Sequence, residues 1–224
     1  MGMEHASSQD ERIASIRWLA RLSPGLRADL LARGRISRRA AGEWLYGEGD
    51  ADTGLVVVLE GGLHIYTEAP GGRDVLIGMV RPGGVFGRSA MVVGGGRLVT
   101  AIASSDSVLF VLSDRALHAV EADHEELRPV LGALLVGQLR NLLRLLAETV
   151  TLKPRERMIA RLLDLSVGQD GVQISQSALA EMIGVTRKAV NGWLCDLEAR
   201  GLVGRGYGRI TVRDRPALER MVPG

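Results

Sequence analysis

The sequence predicts an α+β chain in three parts: a β-roll or jelly roll with N-terminal helices over residues 12–124, one long helix over 125–150, and a compact helical module closed by a β-hairpin over 151–224. Three observations carry this prediction. Between residues 36 and 117, glycine-rich breaks at 42, 47, 49, 61–62, 71–72, 83–84 and 94–96 separate short apolar runs, the spacing of an all-β domain. From residue 125 to 149 those breaks give way to leucines at helical spacing. Beyond Pro154 short helical patterns return and end in a glycine-rich, strand-like segment. A length of 224 residues with 46% hydrophobic content supports two modest cores.

In chain order, residues 12–33 hold two helical patterns separated by Ser23-Pro24, where the serine can cap and the proline suits a first helical position. Residues 36 to about 117 form the β domain, with apolar runs at 55–59 and 75–77. Residues 125–149 read as one helix. Its leucines and valines, from Val130 and Leu134 through Leu131, Leu142 and Leu135 round to Leu139 and Leu143, cover well over half of the circumference. A helix resting on a single core needs a narrower stripe, so this one has two faces to bury. Residues 150–153 make a short link, and Pro154 opens a helix whose core face is Met158, Ile159, Leu162, Leu163 and Leu165. The tail after Asp214 shows no usable motif.

Residues 174–202 are the most informative stretch. Ser175 can cap a short helix with Leu179, Met182 and Ile183 at helical spacing, and Gly184 tolerates the positive φ that ends it. Thr186 can cap a second helix with Val190, Trp193, Leu194 and Leu197 on one face and Arg187, Lys188, Asn191 and Gly192 on the other. This is a helix-turn-helix pattern, whose second helix fits the major groove of DNA. Residues 201–212 then read as two short strands about the turn Gly206-Tyr207-Gly208, with Arg205 and Arg209 on either side, which makes a wing. An ordinary helical hairpin with a solvated charged face would share the periodicity, but not the coincidence of cap, glycine turn and basic first turn. The residues so placed at a phosphate or base surface are Ser175, Gln176, Ser177, Thr186, Arg187, Lys188, Asn191, Arg205 and Arg209.

Leu179-Ala180, Gly184-Val-Thr-Arg187, Val190, Leu194, Leu197 and Gly201-Leu202 together resemble the DNA-binding domain of the cyclic-AMP receptor protein and fumarate-nitrate regulator (Crp/Fnr) superfamily. Residues 42–50 and 55–66 resemble the opening strands of its cyclic-nucleotide-binding β-roll. The resemblance implies a homodimer joined through the long helix as a parallel coiled coil, a pseudo-palindromic double-stranded DNA operator, and RNA polymerase as a partner. It also implies an effector cassette at Phe86, Gly87, Arg88, Ser89, Arg97 and Leu98, with Leu142 and Leu143 on the long helix. In cyclic-AMP-responsive members an arginine holds the cyclic phosphate, a glutamate accepts from the ribose, a hydroxyl follows the arginine, and a Thr-Ser pair touches the base. Arg97 matches the arginine, whereas Arg88, Leu98, Leu142 and Leu143 stand at the other places. Cyclic AMP is therefore not the expected effector. Two alternatives stand: an unidentified anionic small molecule held by Arg88 and Arg97, or a pocket that binds nothing.

Charge and cysteine content narrow the class. Residues 1–149 hold 16 basic and 18 acidic side chains, and residues 150–224 hold 12 and 8, so the positive excess lies with the helix-turn-helix. Cys195 is the sole cysteine, which excludes an intramolecular disulfide and a cysteine-ligated cluster within one chain; it is a bystander thiol or a redox group on the outward side of the reading helix. His64, His118 and His124 lack metal-ligand spacing, and no nucleophile adjoins a base, so no metal, catalytic site or enzymatic activity is expected. Gln138, Arg140, Asn141 and Arg144 interrupt the leucine-rich stretch, and no apolar signal segment opens the sequence, so a cytoplasmic chain without a membrane span is expected. Two rivals remain: a ligand-binding regulator acting on a protein partner without DNA, and a cupin-type β-barrel enzyme.

Overall fold

Leu55, Val56, Val57 and Val58 are consecutive and all buried, which a strand permits only when both of its faces are covered. The computed structural model, which describes residues 16, 18–51, 54–87, 95–168 and 171–223, shows both covers. The chain divides into two compact units, Met1–Gln138 and Leu139–Gly224.

In the first unit, α1 (Pro24–Arg33) is followed by β1 (Arg35–Arg39), β2 (Trp44–Tyr46), β3 (Leu55–Glu60), β4 (Leu63–Ala69), β5 (Arg73–Val80), β6 (Val85–Phe86), β7 (Thr100–Ala103) and β8 (Ser107–Leu112). Next come α2 (Asp114–Asp123) and the start of α3 (Leu127–Thr151). Two antiparallel sheets form, in orders β1-β8-β3-β6 and β2-β7-β4-β5. Register pairs Leu55 with Leu112 and Val57 with Phe110, and these four side chains meet Leu19, Leu26, Leu30, Leu117, Val120, Leu127 and Leu131. Val56, Val58 and Leu109 point the other way, onto Tyr46, Leu63, Ile65, Ala101 and Ala103. The alternation of strand side chains thus explains the unbroken apolar run.

Two expectations for this unit need correction. Of the first helical pattern, the described residues form only a 3-10 turn, Leu19–Arg21. Pro24 disfavours helix at the residue before it, and Ser23 is extended at φ −57° and ψ 150°, so the turn stops there and α1 starts afresh. The β region ends at Leu112 rather than near 117, because the Ser113 hydroxyl accepts from Ala116 N at 3.2 Å and caps α2.

Helix α3 runs through Thr151 and so shortens the expected link at 150–153. Leu127 and Leu131 are buried, with Val130 and Leu134 packed beside them. Val136, Leu139, Leu142, Leu143, Leu146 and Val150 remain 49–77% exposed. The wide apolar arc is therefore half covered within one chain. By length and composition this helix could cross a membrane, but Gln138 donates to Val85 O at 3.0 Å, and Arg144 pairs with Glu148 and, at 2.9 Å, with Asp164.

The second unit continues with α4 (Pro154–Leu165), β9 (Gly171–Gln173), α5 (Gln176–Ile183), α6 (Arg187–Ala199), β10 (Val203–Gly206), β11 (Arg209–Val212) and α7 (Arg215–Glu219). The wing sheet has order β10-β11-β9, one strand more than the sequence pattern shows, because β9 is three residues long and pairs across sequence with β11. The tail is also more than a tail. Asp214 accepts from Ala217 N at 2.9 Å and caps α7, whose Arg215 donates to Leu163 O at 2.6 Å and the Ser166 hydroxyl at 2.9 Å. Arg157 of α4 donates to Thr149 O and Leu152 O, each at 3.3 Å, and to Ile183 O at 3.1 Å, tying the end of α3 to α5.

Candidate nucleic-acid interface

Local chemistry sets the two helices of the motif. The Ser175 hydroxyl accepts from Ala178 N at 3.0 Å and starts α5. Gly184 has φ +71°, a left-handed value that only glycine adopts at little cost, and it ends that helix. Thr186 accepts from Ala189 N at 3.2 Å and starts α6. Val190, Leu194 and Leu197 are buried and Trp193 is half-buried, so α6 turns Arg187, Lys188, Asn191, Gly192 and Cys195 outward. A side chain at Gly192 would meet open space. Ser177 is exposed and Gln176 half-buried in the first turn of α5.

The wing folds back onto α6. Arg205 Nε donates to Glu198 Oε2 at 2.7 Å, and its main-chain N–H donates to Glu198 Oε1 at 2.9 Å. These hydrogen bonds hold the Glu198 carboxyl below its ordinary range and the Arg205 guanidinium above its own. Arg205 Nη1 also lies 3.2 Å from Asn191 Oδ1 and 3.0 Å from Cys195 Sγ. Arg209 is exposed beyond the Tyr207-Gly208 turn and sits opposite Gln173 of β9. The structure thus brings Arg187, Lys188, Asn191 and Cys195 onto one helix face and adds Arg205 to it from the wing. Glu198 escapes a pattern-based reading, although its seven-residue separation from Arg205 across the Gly201 turn is a usable signal.

In the first unit the cassette converges on Arg97, which is 7% exposed. Its Nη1 donates to Gly87 O at 2.8 Å and Gly54 O at 3.0 Å, and its guanidinium carbon lies 3.9 Å from the centroid of the Tyr46 ring. Phe86 stacks on Tyr46, its ring centroid 5.7 Å from that of the tyrosine. Burial pushes the Tyr46 hydroxyl far above its ordinary value, against the opposing charge of Arg97, so it is a neutral phenol. Gly87, at φ +103°, is required here: a Cβ would stand 2.3 Å from Arg97 Nη1 and 2.7 Å from Gly54 O. Leu98 is 58% exposed, and Leu142 and Leu143 are exposed residues of the second unit. Arg88 and Ser89 lie outside the described residues. Tyr46, the platform beneath Arg97, has no signal in local sequence.

Of the described histidines, His124 pairs with Asp29 at 2.9 Å, and His118 lies 3.7 Å from Glu121. Among the described residues no group of three metal-ligating side chains forms.

A β-roll with a buried arginine cassette, a long helix and a winged helix-turn-helix define a DNA-binding transcription regulator. Residues 37–124 match the cyclic nucleotide-binding domain family, and residues 156–221 match the Crp-like helix-turn-helix domain family. The chain is 28% identical over 185 residues to the cyclic AMP receptor protein of Thermus thermophilus, covering 82% of this chain and 86% of that one. It is 25% identical over 188 residues to the CRP-like cAMP-activated global transcriptional regulator of Mycobacterium tuberculosis, covering 80% and 84%. Among solved structures, the CRP-family regulator TTHB099 of Thermus thermophilus superposes with a TM-score of 0.67 at 29% identity, over 82% of this chain and 95% of that one. FixK2 of Bradyrhizobium japonicum shares the fold, with a TM-score of 0.77 at 21% identity over 85% and 98%. The chain belongs to the Crp/Fnr superfamily of transcription regulators.

Proposed function

We propose that the protein is a cytoplasmic, homodimeric regulator without enzymatic activity that binds a pseudo-palindromic operator and acts with RNA polymerase. The carrying observation is the outward face of α6, where Arg187, Lys188 and Asn191 follow the Thr186 cap on a helix whose opposite face is buried. In this reading α6 enters the major groove, Arg187 pairs with guanine O6 and N7, and Lys188 meets phosphate or an acceptor on a base edge. Ser175, Gln176 and Ser177 at the start of α5, with Thr186 and Arg209 of the wing, set the register on the backbone. Residues 125–150 form the dimerisation helix between a β-roll domain over 12–124 and a DNA-binding domain over 151–224; the exposed apolar residues of α3 support that assignment.

The effector, in the same reading, is an anionic small molecule other than cyclic AMP. Arg88 adds a second positive charge to that of Arg97, at the place in the sequence where a sugar-binding carboxylate would be needed, and Leu98, Leu142 and Leu143 offer no hydroxyl. The Thermus and Mycobacterium relatives are described as cyclic-AMP proteins, so this chain would share their fold and differ in ligand. Selection of sequences from random duplex DNA by the full chain tests the reading. A two-fold site with half-site centres about one helical turn apart is expected, and failure to enrich any sequence would refute it.

A further inference from the structure

The side-chain oxygen of Asn191, one turn beyond Arg187 on the outward face of α6, is already occupied within the protein. Arg205 Nη1 donates to it at 3.2 Å, and the Cys195 thiol lies 4.0 Å away. A guanidinium carries donors only, so the amide must turn its oxygen toward Arg205 and its NH2 away from it. Arg205 is itself fixed, by Nε and Nη2 on Glu198 Oε2, each at 2.7 Å, and by its main-chain N–H on Glu198 Oε1. Asn191 and Glu198 lie seven residues apart, on the same face of α6, and Arg205 of the wing spans them, so Glu198 anchors the guanidinium that holds Asn191.

An asparagine reads adenine with both ends of its amide, accepting from N6 and donating to N7. With Arg205 on one lone pair of the oxygen and the Cys195 thiol 4.0 Å from it, the NH2 donors are the open end of the Asn191 amide. Guanine offers two acceptors, N7 and O6, on the same edge. We propose that Arg205 is a specificity-setting positioning residue, which holds Asn191 so that it selects guanine rather than adenine at its base pair. The inference rests on the DNA-binding reading above and reverses the adenine contact that asparagine chemistry alone predicts.

The test compares full-length wild type, Asn191→Ala, Arg205→Met and Glu198→Gln by sequencing the DNA each retains from a library randomised across the half-site. Wild type is expected to prefer guanine over adenine at one position, and Asn191→Ala to lose that preference. Arg205→Met should raise the adenine-to-guanine ratio there by about fivefold or more, the low end of what a bidentate contact discriminates, and leave other positions unchanged. Glu198→Gln, which keeps the arginine, should shift the same position in the same direction by less. An unchanged base profile in Arg205→Met, with affinity reduced alike on all sequences, would overturn the proposal and make Arg205 a phosphate contact. Adenine preference in wild type, or no position that responds to Asn191→Ala, would overturn it too. A wild type that enriches no sequence is a different result, which removes the DNA-binding reading itself.

Discussion

Leu143→Asp is expected to convert the protein from dimer to monomer. Val136, Leu139, Leu143, Leu146 and Val150 are separated by alternating three and four residues and are all exposed on α3, which is the spacing of a heptad seam. Fully burying a leucine is worth about 1.5–3 kcal/mol, so the exposed half of Leu143 contributes about 1 kcal/mol per chain when a second helix covers it. Aspartate removes that contribution twice in a symmetric pair and places two carboxylates in the seam, each costing about 2 kcal/mol or more when desolvated without a partner. The loss is on the order of 6 kcal/mol per dimer, or roughly four decades in the dissociation constant. Leu143→Ala, which loses only the contact, should weaken the dimer without abolishing it. Sedimentation equilibrium over a concentration series reads both constants, and circular dichroism shows whether the helix persists. If Leu143→Asp sediments as wild type does, this face is not the interface.

Arg187→Ala should flatten the preference at one guanine-dependent operator position, with a loss of about 1–3 kcal/mol of discrimination; titration against operators differing at that base measures it. Gly87→Ala should destabilise the first unit by about 1–3 kcal/mol, because a side chain at φ +103° is strained and its Cβ would displace Arg97 Nη1; denaturant unfolding gives the number, and a wild-type midpoint would contradict the packing described. Isothermal titration with cyclic AMP should show no heat of binding, and micromolar affinity would show that Arg88 and Leu98 do not exclude the nucleotide.

The helix-turn-helix was legible because each of its boundaries is written in local chemistry: Ser175 and Thr186 accept from amides three residues on, and Gly184 takes the positive φ that ends α5. The Asp214-Arg-Pro start of α7 is the same kind of signal, readable but short. The apolar run at residues 55–59 announces a buried strand, while its two covers, helices carrying Leu26 and Leu117 on one side and the second sheet with Ala101 and Ala103 on the other, come from residues distant in sequence. Side-chain partners were less accessible still. Arg97 reads as a ligand-binding arginine, yet two of its hydrogen bonds go to Gly54 O and Gly87 O, a choice made by the folded loops. Arg205 reads as a phosphate contact, and the structure closes it onto Glu198 and Asn191. Sequence identifies which charges exist; the tertiary fold decides which remain available to a ligand.

Native mass spectrometry of the full chain on its selected operator tests the central claim most directly. The account predicts two chains per duplex, reduced to weak binding without that stoichiometry when one half-site is scrambled. A single chain bound stably to one unrepeated half-site would contradict it.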